Sequence, residues 1–302
     1  MRRPRAQIAL ALVSLLALLV PVSVAAQHAQ NTEDADGPRV LFLGKSSGFE
    51  HSSIRRVDGA LSHVERVLAE LARRHGFELE ATKDASRINA GELARFDVVV
   101  FYTTGDLTRR GGEGGAPFAG DGEPAMASDG LATLLAWIRA GGGFVGYHSA
   151  SDTFHSDPAR PGEVSPYVAM LGGEFETHGA QFEGLVRVFD PDHPVTRDAP
   201  PELRRLDEWY VFRNLAVDAI HVLRVLDPGT ERERQPLYDR DPYPVVWTRT
   251  FGDGRVYYDA MGHREDVWDD PEFQGSVVRA LRWAAGEGPA ASEPNFLRGS
   301  SP

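Results

Sequence analysis

The sequence predicts an α/β domain in which helices cover both faces of a mostly parallel central sheet. In the first half of the chain, short apolar runs alternate with amphipathic segments in the order strand, helix, strand, helix, strand, helix, strand. One of these runs, residues 97–102, is continuous and β-branched, as expected for a strand that is buried on both faces. Such alternation is typical of parallel sheets, because each crossover helix returns the chain to the same end of the sheet.

The elements of the first half follow from periodicity and from turn residues. We predict strands at residues 39–43, 77–81, 97–102 and 144–147. A helix is predicted between the first two strands, where apolar residues recur at helical spacing: Val57, Leu61, Val64, Leu68 and Leu71. Gly76 stands where a helix of this kind needs a C-terminal cap. A second helix, residues 131–140, ends at three consecutive glycines.

The second half of the chain is richer in strand patterns. Strands are predicted at residues 182–189, 220–226, 245–250 and 255–261, and residues 251–254 are typical of a hairpin turn between the last two. A closing helix is predicted at residues 271–285. The glycine-rich segment 108–130 has little apolar content, and we interpret it as a surface insertion.

The N-terminus predicts export. Three arginines precede an apolar run at residues 8–20, and small residues follow at 24–26, which is the three-part pattern of a signal peptide. We therefore expect a signal peptide at residues 1–26, a disordered leader at 27–38, an α/β domain at 39–286 and a flexible tail at 287–302. After cleavage we expect a periplasmic or secreted protein that is not held at a membrane.

Charge and cysteine content exclude several classes of function. The formal net charge is −12, and removing the three arginines of residues 1–26 makes it −15. A chain this acidic does not suit nucleic acid, whose affinity for proteins comes mainly from Lys and Arg on phosphate. There are no cysteines, so thiol catalysis and cysteine-ligated metals are excluded.

Histidines follow three of the predicted strands. His51, His148 and His263 lie in the loops after the first, the fourth and the last strand. A lone loop histidine is usually a surface residue or a helix cap. In an open parallel sheet, however, ligands bind beyond the carboxyl ends of the strands, so strand order brings these three histidines to one edge.

Further polar residues extend this set. His178 and Glu208 lie in polar segments between the strands of the second half, and Asp152 closes the loop after the fourth strand. Two or three histidines with a carboxylate suit a divalent metal such as zinc, with an open position for water or substrate. Without a metal, His148 and a carboxylate could serve as general base and acid.

Two other local patterns are weaker. The segment at residues 44–48 superficially resembles a phosphate-binding loop, but it lacks the required spacing of glycines and lysine. Ser149 follows a strand as the nucleophile of a hydrolase elbow does, but the flanking glycines are absent. A serine hydrolase therefore stays an open and weaker alternative.

Several motifs together resemble the trehalose-utilisation (ThuA-like) family over about residues 39–286. The motifs lie at residues 48–54, 141–153, 192–194, 207–210 and 262–263. This resemblance implies a flavodoxin-like three-layer sandwich related to class I glutamine amidotransferases, with additional β-strands in the second half. In those enzymes a cysteine occupies the turn after a central strand, and His148 stands at that position here.

The resemblance also implies a function in carbohydrate catabolism. We expect a small-molecule carbohydrate as partner, and a glycoside or keto-disaccharide as substrate. The alternative is a sugar-binding or accessory module without catalysis. The expected catalytic residues are His148, Glu208 and Asp152. The expected substrate contacts are Phe49, Ser52, Tyr147, Tyr210 and Asp106. The expected metal ligands are His51, His148, His178 and His263.

Overall fold

A nine-stranded mixed sheet is the centre of the part of the chain that the computed structural model describes, residues 37–112, 118–290 and 292–296. The strands are β1 (Arg39–Leu43), β2 (Glu78–Thr82), β3 (Val98–Phe101), β4 (Gly143–Tyr147), β5 (Glu174–His178), β6 (Phe182–Val188), β7 (Glu202–Asp207), β8 (Tyr210–Arg213), β9 (His221–Asp227), β10 (Tyr243–Phe251) and β11 (Gly254–Asp259). Their order in the large sheet is β2-β1-β3-β4-β11-β10-β9-β6-β7, and β5 pairs with β8 separately.

The sheet has a parallel part and an antiparallel part. Strands β2, β1, β3, β4 and β11 run parallel, and β10, β9, β6 and β7 extend the sheet with antiparallel pairs. Four of the parallel strands, β1, β3, β4 and β11, are almost wholly buried. This confirms the predicted α/β fold with extra strands in its second half.

Most of the seven described helices pack in two groups. The seven are α1 (His63–His75), α2 (Ala90–Leu93), α3 (Gly130–Arg139), α4 (Pro166–Leu171), α5 (Glu231–Arg234), α6 (Glu265–Asp269) and α7 (Pro271–Ala284). Helix α1 contacts α6 and α7, and α3 contacts α4, while α3, α4 and α7 all contact β11. The apolar faces of these two groups of helices therefore pack on the central strands, as the alternating pattern predicts.

The first long helix begins later than its apolar spacing predicts. Ser62 and Glu65 form a capping box, in which each side chain bonds the backbone N–H of the other residue, and this fixes the start at His63. Val57 and Leu61 therefore precede the helix, and both are exposed. Gly76 caps the other end in the left-handed conformation, as predicted.

Most strands of the second half lie within two residues of their predicted bounds. The turn between β10 and β11 is a hairpin, with Phe251 opposite Gly254. Strands β5, β7 and β8 and helix α4 were not predicted. The first two of these strands are only partly buried and carry several charged residues, so they lack the continuous apolar run of a central strand.

The glycine-rich segment is anchored to the domain in its C-terminal half. Asp121 is almost fully buried and forms an ion pair with the buried Lys45. Met126 is also buried, and its backbone N–H donates to Leu107. The part of this predicted insertion around Asp121 and Met126 is therefore packed into the domain, whereas residues 108–110 and 118–119 are exposed, as expected for a surface segment.

The predicted signal peptide and most of the predicted leader, residues 1–36, lie outside the described residues, as do 113–117, 291 and 297–302. Among the described helices, none is long and apolar enough to cross a membrane. Export and the localisation that follows from it stay predictions.

The buried carboxyl of Asp259 should make the domain less stable as the pH rises. Burial raises its pKa to about 7, well above the value of a solvated aspartate. The folded chain therefore binds more protons than the unfolded chain between about pH 4 and pH 7, so the free energy of unfolding falls across that range. The full effect is up to about 4 kcal/mol.

Urea unfolding of the wild type and of Asp259→Asn at pH 5 and pH 8 measures this effect. The wild type should lose more stability between the two pH values than the variant, which stays neutral throughout. Equal pH dependence in both proteins would show that Asp259 is ionised at both values.

Candidate active site

The carboxyl ends of the parallel strands bring three histidines together. His51 lies in the loop after β1, His148 directly follows β4, and His263 follows β11. Because these strands are parallel, their following loops meet at one edge of the sheet. The rings of His51 and His148 are 4.9 Å apart, and those of His51 and His263 are 5.1 Å apart. The predicted convergence is confirmed.

A carboxylate completes the cluster. Oε2 of Glu208 lies 3.5 Å from Nε2 of His148 and 3.3 Å from Nδ1 of His263. One ligand atom from each of these residues and from His51 lies within 4.8 Å of the others. We call this set the His/Glu cluster: His51, His148, Glu208 and His263.

The backbone and the ring of His148 are both fixed. Its φ is +43°, a left-handed conformation that is unusual for a residue other than glycine. The hydroxyl of Tyr258 donates to its carbonyl at 2.7 Å, which holds this turn in place. Nδ1 of the ring lies 2.8 Å from the carbonyl oxygen of Ala260. A carbonyl only accepts, so Nδ1 carries the proton and Nε2 presents a lone pair to the cluster.

Glu208 reaches the cluster because the antiparallel part of the sheet curls back. Strands β10, β9 and β6 separate β11 from β7 within the sheet. Nevertheless, the carboxylate of Asp207, at the end of β7, accepts a 2.7 Å hydrogen bond from the backbone N–H of Gly262, just after β11. The same buried carboxylate accepts the backbone N–H of Glu208 at 2.9 Å. Asp207 therefore ties together the two segments that carry Glu208 and His263.

Gly262 has two further partners. Its carbonyl oxygen accepts hydrogen bonds from the hydroxyl of Tyr102 and from Nε1 of Trp268, both at 2.9 Å. Tyr102 and Trp268 are fully buried. The backbone next to His263 is thus held from both its N–H and its C=O side.

The charges of the cluster suit a cation. Burial lowers the pKa of His51 well below its ordinary value, and the neighbouring His148 and His263 lower it further. Burial alone would raise the pKa of Glu208, but the neighbouring His148 and His263, 3.5 and 3.3 Å away, outweigh burial and hold that pKa below the ordinary range. The cluster therefore offers the neutral imidazole of His51 beside an ionised Glu208. Burial lowers the pKa of His263, but the neighbouring Glu208 outweighs burial and raises it, so a bound cation would take the place of a proton there.

The nitrogen and oxygen donors of the His/Glu cluster also fit a divalent metal. Nδ1 of His51 is buried, and it has no hydrogen-bond partner among the described residues. Zinc ligands lie about 2.0–2.2 Å from the ion, so two ligands of one ion are at most about 4.4 Å apart. The observed span of 4.8 Å needs only a small inward movement of side chains.

The cluster opens onto a cavity of about 330 Å³. This volume falls within the roughly 300–1,000 Å³ of typical small-molecule sites. Three cluster residues, His51, Glu208 and His263, line the cavity. The other lining residues are aromatic or polar: Phe49, Phe118, Phe175, Tyr210, Asp152 and His178. The ring of Tyr210 packs 4.2 Å from that of His148 and 4.3 Å from that of Phe175.

His178 lies beside the cluster rather than within it. Its Nδ1 is 3.3 Å from Oε1 of Glu208 and 2.9 Å from the carbonyl oxygen of Gly179. Both neighbours accept hydrogen bonds, so Nδ1 carries the proton. The sequence analysis expected His178 as the fourth metal ligand and Glu208 as a catalytic residue. In the structure it is Glu208 that completes the cluster.

Three of the expected substrate-binding residues do not line the cavity. The ring of Tyr147 is fully buried against Trp268 and Phe273, because it points away from the edge where His148 turns. Ser52 donates to Glu265 at 2.6 Å. Asp106 accepts both the N–H and the hydroxyl of Thr108, a local turn that engages its carboxylate.

Neither of the two weaker motifs supplies a site. Lys45 of the loop at residues 44–48 is fully buried in its ion pair with Asp121, so it cannot hold a phosphate there. Ser149 is also fully buried, and among the described residues its hydroxyl has no hydrogen-bond partner. A nucleophilic serine needs an adjacent base, and Ser149 lacks one.

Some residues of the site gave no signal in the sequence. Phe118 and Phe175 line the cavity, but one lies in the glycine-rich segment and the other in an unpredicted strand. Ala260 and Gly262 act through their backbone groups, which side-chain patterns do not reveal.

Comparisons with known proteins identify the family and support the fold. The family model for ThuA, described as trehalose utilisation, matches residues 39–284. Among solved structures, a ThuA-like protein from Bacteroides uniformis ATCC 8492 is 21% identical with a TM-score of 0.60, covering 86% of this chain and 96% of its own. A ThuA-like protein from Parabacteroides merdae ATCC 43184 is 17% identical with a TM-score of 0.60, covering 83% of this chain and 90% of its own.

No protein with a curated functional description matches the chain. The two similar structures support the fold, and the family match extends over nearly all of the described residues. This chain therefore belongs to the ThuA family of trehalose-utilisation proteins.

Proposed function

We propose that this chain is an exported carbohydrate-active enzyme, a hydrolase or lyase that acts on a glycoside or keto-disaccharide. The observation that carries the proposal is the His/Glu cluster at the wall of an aromatic-lined cavity. His51, His148, Glu208 and His263 would hold a divalent cation such as zinc. Such a cation, when bound, polarises a carbonyl or makes a bound water more acidic.

The chain's own residues supply binding and proton transfer. Phe49 and Phe118 pack edge to face 5.5 Å apart at the cavity mouth, and both are exposed. Exposed aromatic faces of this kind suit the apolar face of a sugar ring. His178 holds its proton on Nδ1, which leaves Nε2 free to accept a proton from a ligand.

Removing the metal tests the proposal. Purified protein should contain about one zinc per chain by elemental analysis, as expected for one cluster of four ligands. The zinc-loaded protein should turn over at least one member of a panel of glycosides and keto-disaccharides, and chelation should abolish the turnover until zinc is restored.

The possible failures are distinguishable. Turnover that is unchanged in chelator would contradict the metal. Sugar binding without turnover of any panel member would favour the non-catalytic binding module instead.

A further inference from the structure

A second cluster of charged side chains lies beside the cavity, outside the His/Glu cluster. Asp152 lines the cavity, and its Oδ1 lies 2.5 Å from Nε2 of His155. Nδ1 of the same histidine lies 3.0 Å from Oε1 of Glu174. The side chains of Asp152, His155 and Glu174 thus form a row that leads from the cavity wall into the protein.

The inner member of this row, Glu174, is a fixed anion. Glu174 is fully buried, and it accepts hydrogen bonds from the backbone N–H and the hydroxyl of Ser156 at 3.0 and 2.7 Å. Asn214 donates to it at 2.9 Å, and Arg213 forms an ion pair with it at 2.5 Å. Burial alone would raise the pKa of Glu174, but these donors, Arg213 first, outweigh burial and lower it.

His155 is held between the two carboxylates. A carboxylate only accepts, so Nε2 donates to Asp152, while Nδ1 lies 3.0 Å from Oε1 of Glu174 and 3.2 Å from Nη2 of Arg213. Burial and the guanidinium of Arg213 lower the pKa of His155, but the hydrogen bond and charge of Asp152, together with the charge of Glu174, outweigh them and raise it.

The same contacts fix Asp152. Its Oδ1 is engaged by His155, whereas Oδ2 has no hydrogen-bond partner in the described part of the chain. The backbone carbonyl of Asp152 accepts the N–H of Gly105 at 2.7 Å, which pins the turn that carries it. The cavity is thus lined by a fixed carboxylate with a free oxygen, separate from the cluster that would hold a metal.

We propose that Asp152 is a specificity-determining residue that accepts a hydrogen bond from a hydroxyl group of the ligand, and that His155 is the positioning residue that holds it. A fixed acceptor in the cavity that the His/Glu cluster also lines selects polyhydroxylated ligands and helps to orient them. Hydrogen bonds to charged groups are stronger than those between neutral groups. This inference rests on the proposed carbohydrate function and adds the group that recognises the sugar.

Binding of sugars to the zinc-loaded full chain tests the inference. Calorimetry with trehalose, sucrose, lactose and methyl glucoside would compare the wild type with Asp152→Asn, His155→Ala and His155→Gln. Asp152→Asn and His155→Ala should each weaken binding by about 10- to 100-fold. His155→Gln should recover part of this loss, because its amide can still donate to Asp152. A merely structural role would not predict this recovery.

Two controls separate the inference from the function on which it rests. Asp157→Asn, an exposed aspartate just beyond His155, should bind sugar as the wild type does, and all four variants should bind zinc with wild-type affinity. Unchanged sugar affinity in Asp152→Asn, with a wild type that binds, would overturn the inference alone. A zinc-loaded wild type that binds none of the sugars would overturn both the inference and the carbohydrate function.

Discussion

Replacing Glu208 by glutamine should remove tight zinc binding. Glutamine keeps the size of the side chain but not its charge, and Glu208 is the only acidic member of the His/Glu cluster. Loss of an outer hydrogen-bond partner costs roughly 10- to 100-fold in metal affinity, and loss of a charged ligand should cost more. Competition with a chromophoric chelator measures the affinity directly.

Glu176→Gln is the matched control. Glu176 is an exposed residue of β5, the strand that also carries His178, and its replacement removes the same charge from the protein. This control should bind zinc as the wild type does. Equal affinities in the two variants would mean that Glu208 does not bind the metal. Thermal unfolding of both variants without zinc would show that the fold is intact.

The sequence predicted the histidines of the site because their positions follow from local patterns. His51, His148 and His263 each follow a recognisable strand, and parallel strands place such loops at one edge. This rule needs no knowledge of distant contacts. For that reason the pattern brought together three of the four members of the cluster.

The placement of the remaining candidate residues depended on long-range geometry. Whether Glu208 or His178 joins the cluster depends on how the antiparallel strands curl back, which the bond from Gly262 to Asp207 fixes across the chain. Tyr147 was expected in the cavity because it adjoins His148. Consecutive residues of a strand point to opposite faces, and the strained turn at His148 then separates the two side chains further.

The role proposed for Asp152 could likewise not be inferred from the sequence. Its position after β4 marked it as a candidate, but its neighbours come from an unpredicted pair of strands. Glu174 begins β5 and Arg213 ends β8, and both strands lack the apolar pattern that predicts a buried element. In the sequence, charged residues in such short strands look like surface residues. Only the folded structure shows that their side chains come together.

Truncating Trp268 should destabilise the domain and weaken the metal site together. Its ring is fully buried against Tyr147 and Phe273, so Trp268→Ala should cost about 3–5 kcal/mol in the free energy of unfolding. The variant also loses the hydrogen bond to the carbonyl of Gly262, next to His263. We expect zinc affinity to fall by about 10- to 100-fold, as for other groups that hold a ligand in place.

Trp283→Ala separates the two effects. Trp283 is as deeply buried on α7, but it lies by Arg255 near the start of β11, at the opposite end of that strand from His263. Its truncation should cost a similar free energy of unfolding and leave zinc affinity unchanged, because its indole donates to Pro289 and not to the site. Urea unfolding and zinc competition on both variants test this pair. If both lost zinc affinity equally, the metal site would depend on global stability and not on the bond between Trp268 and Gly262.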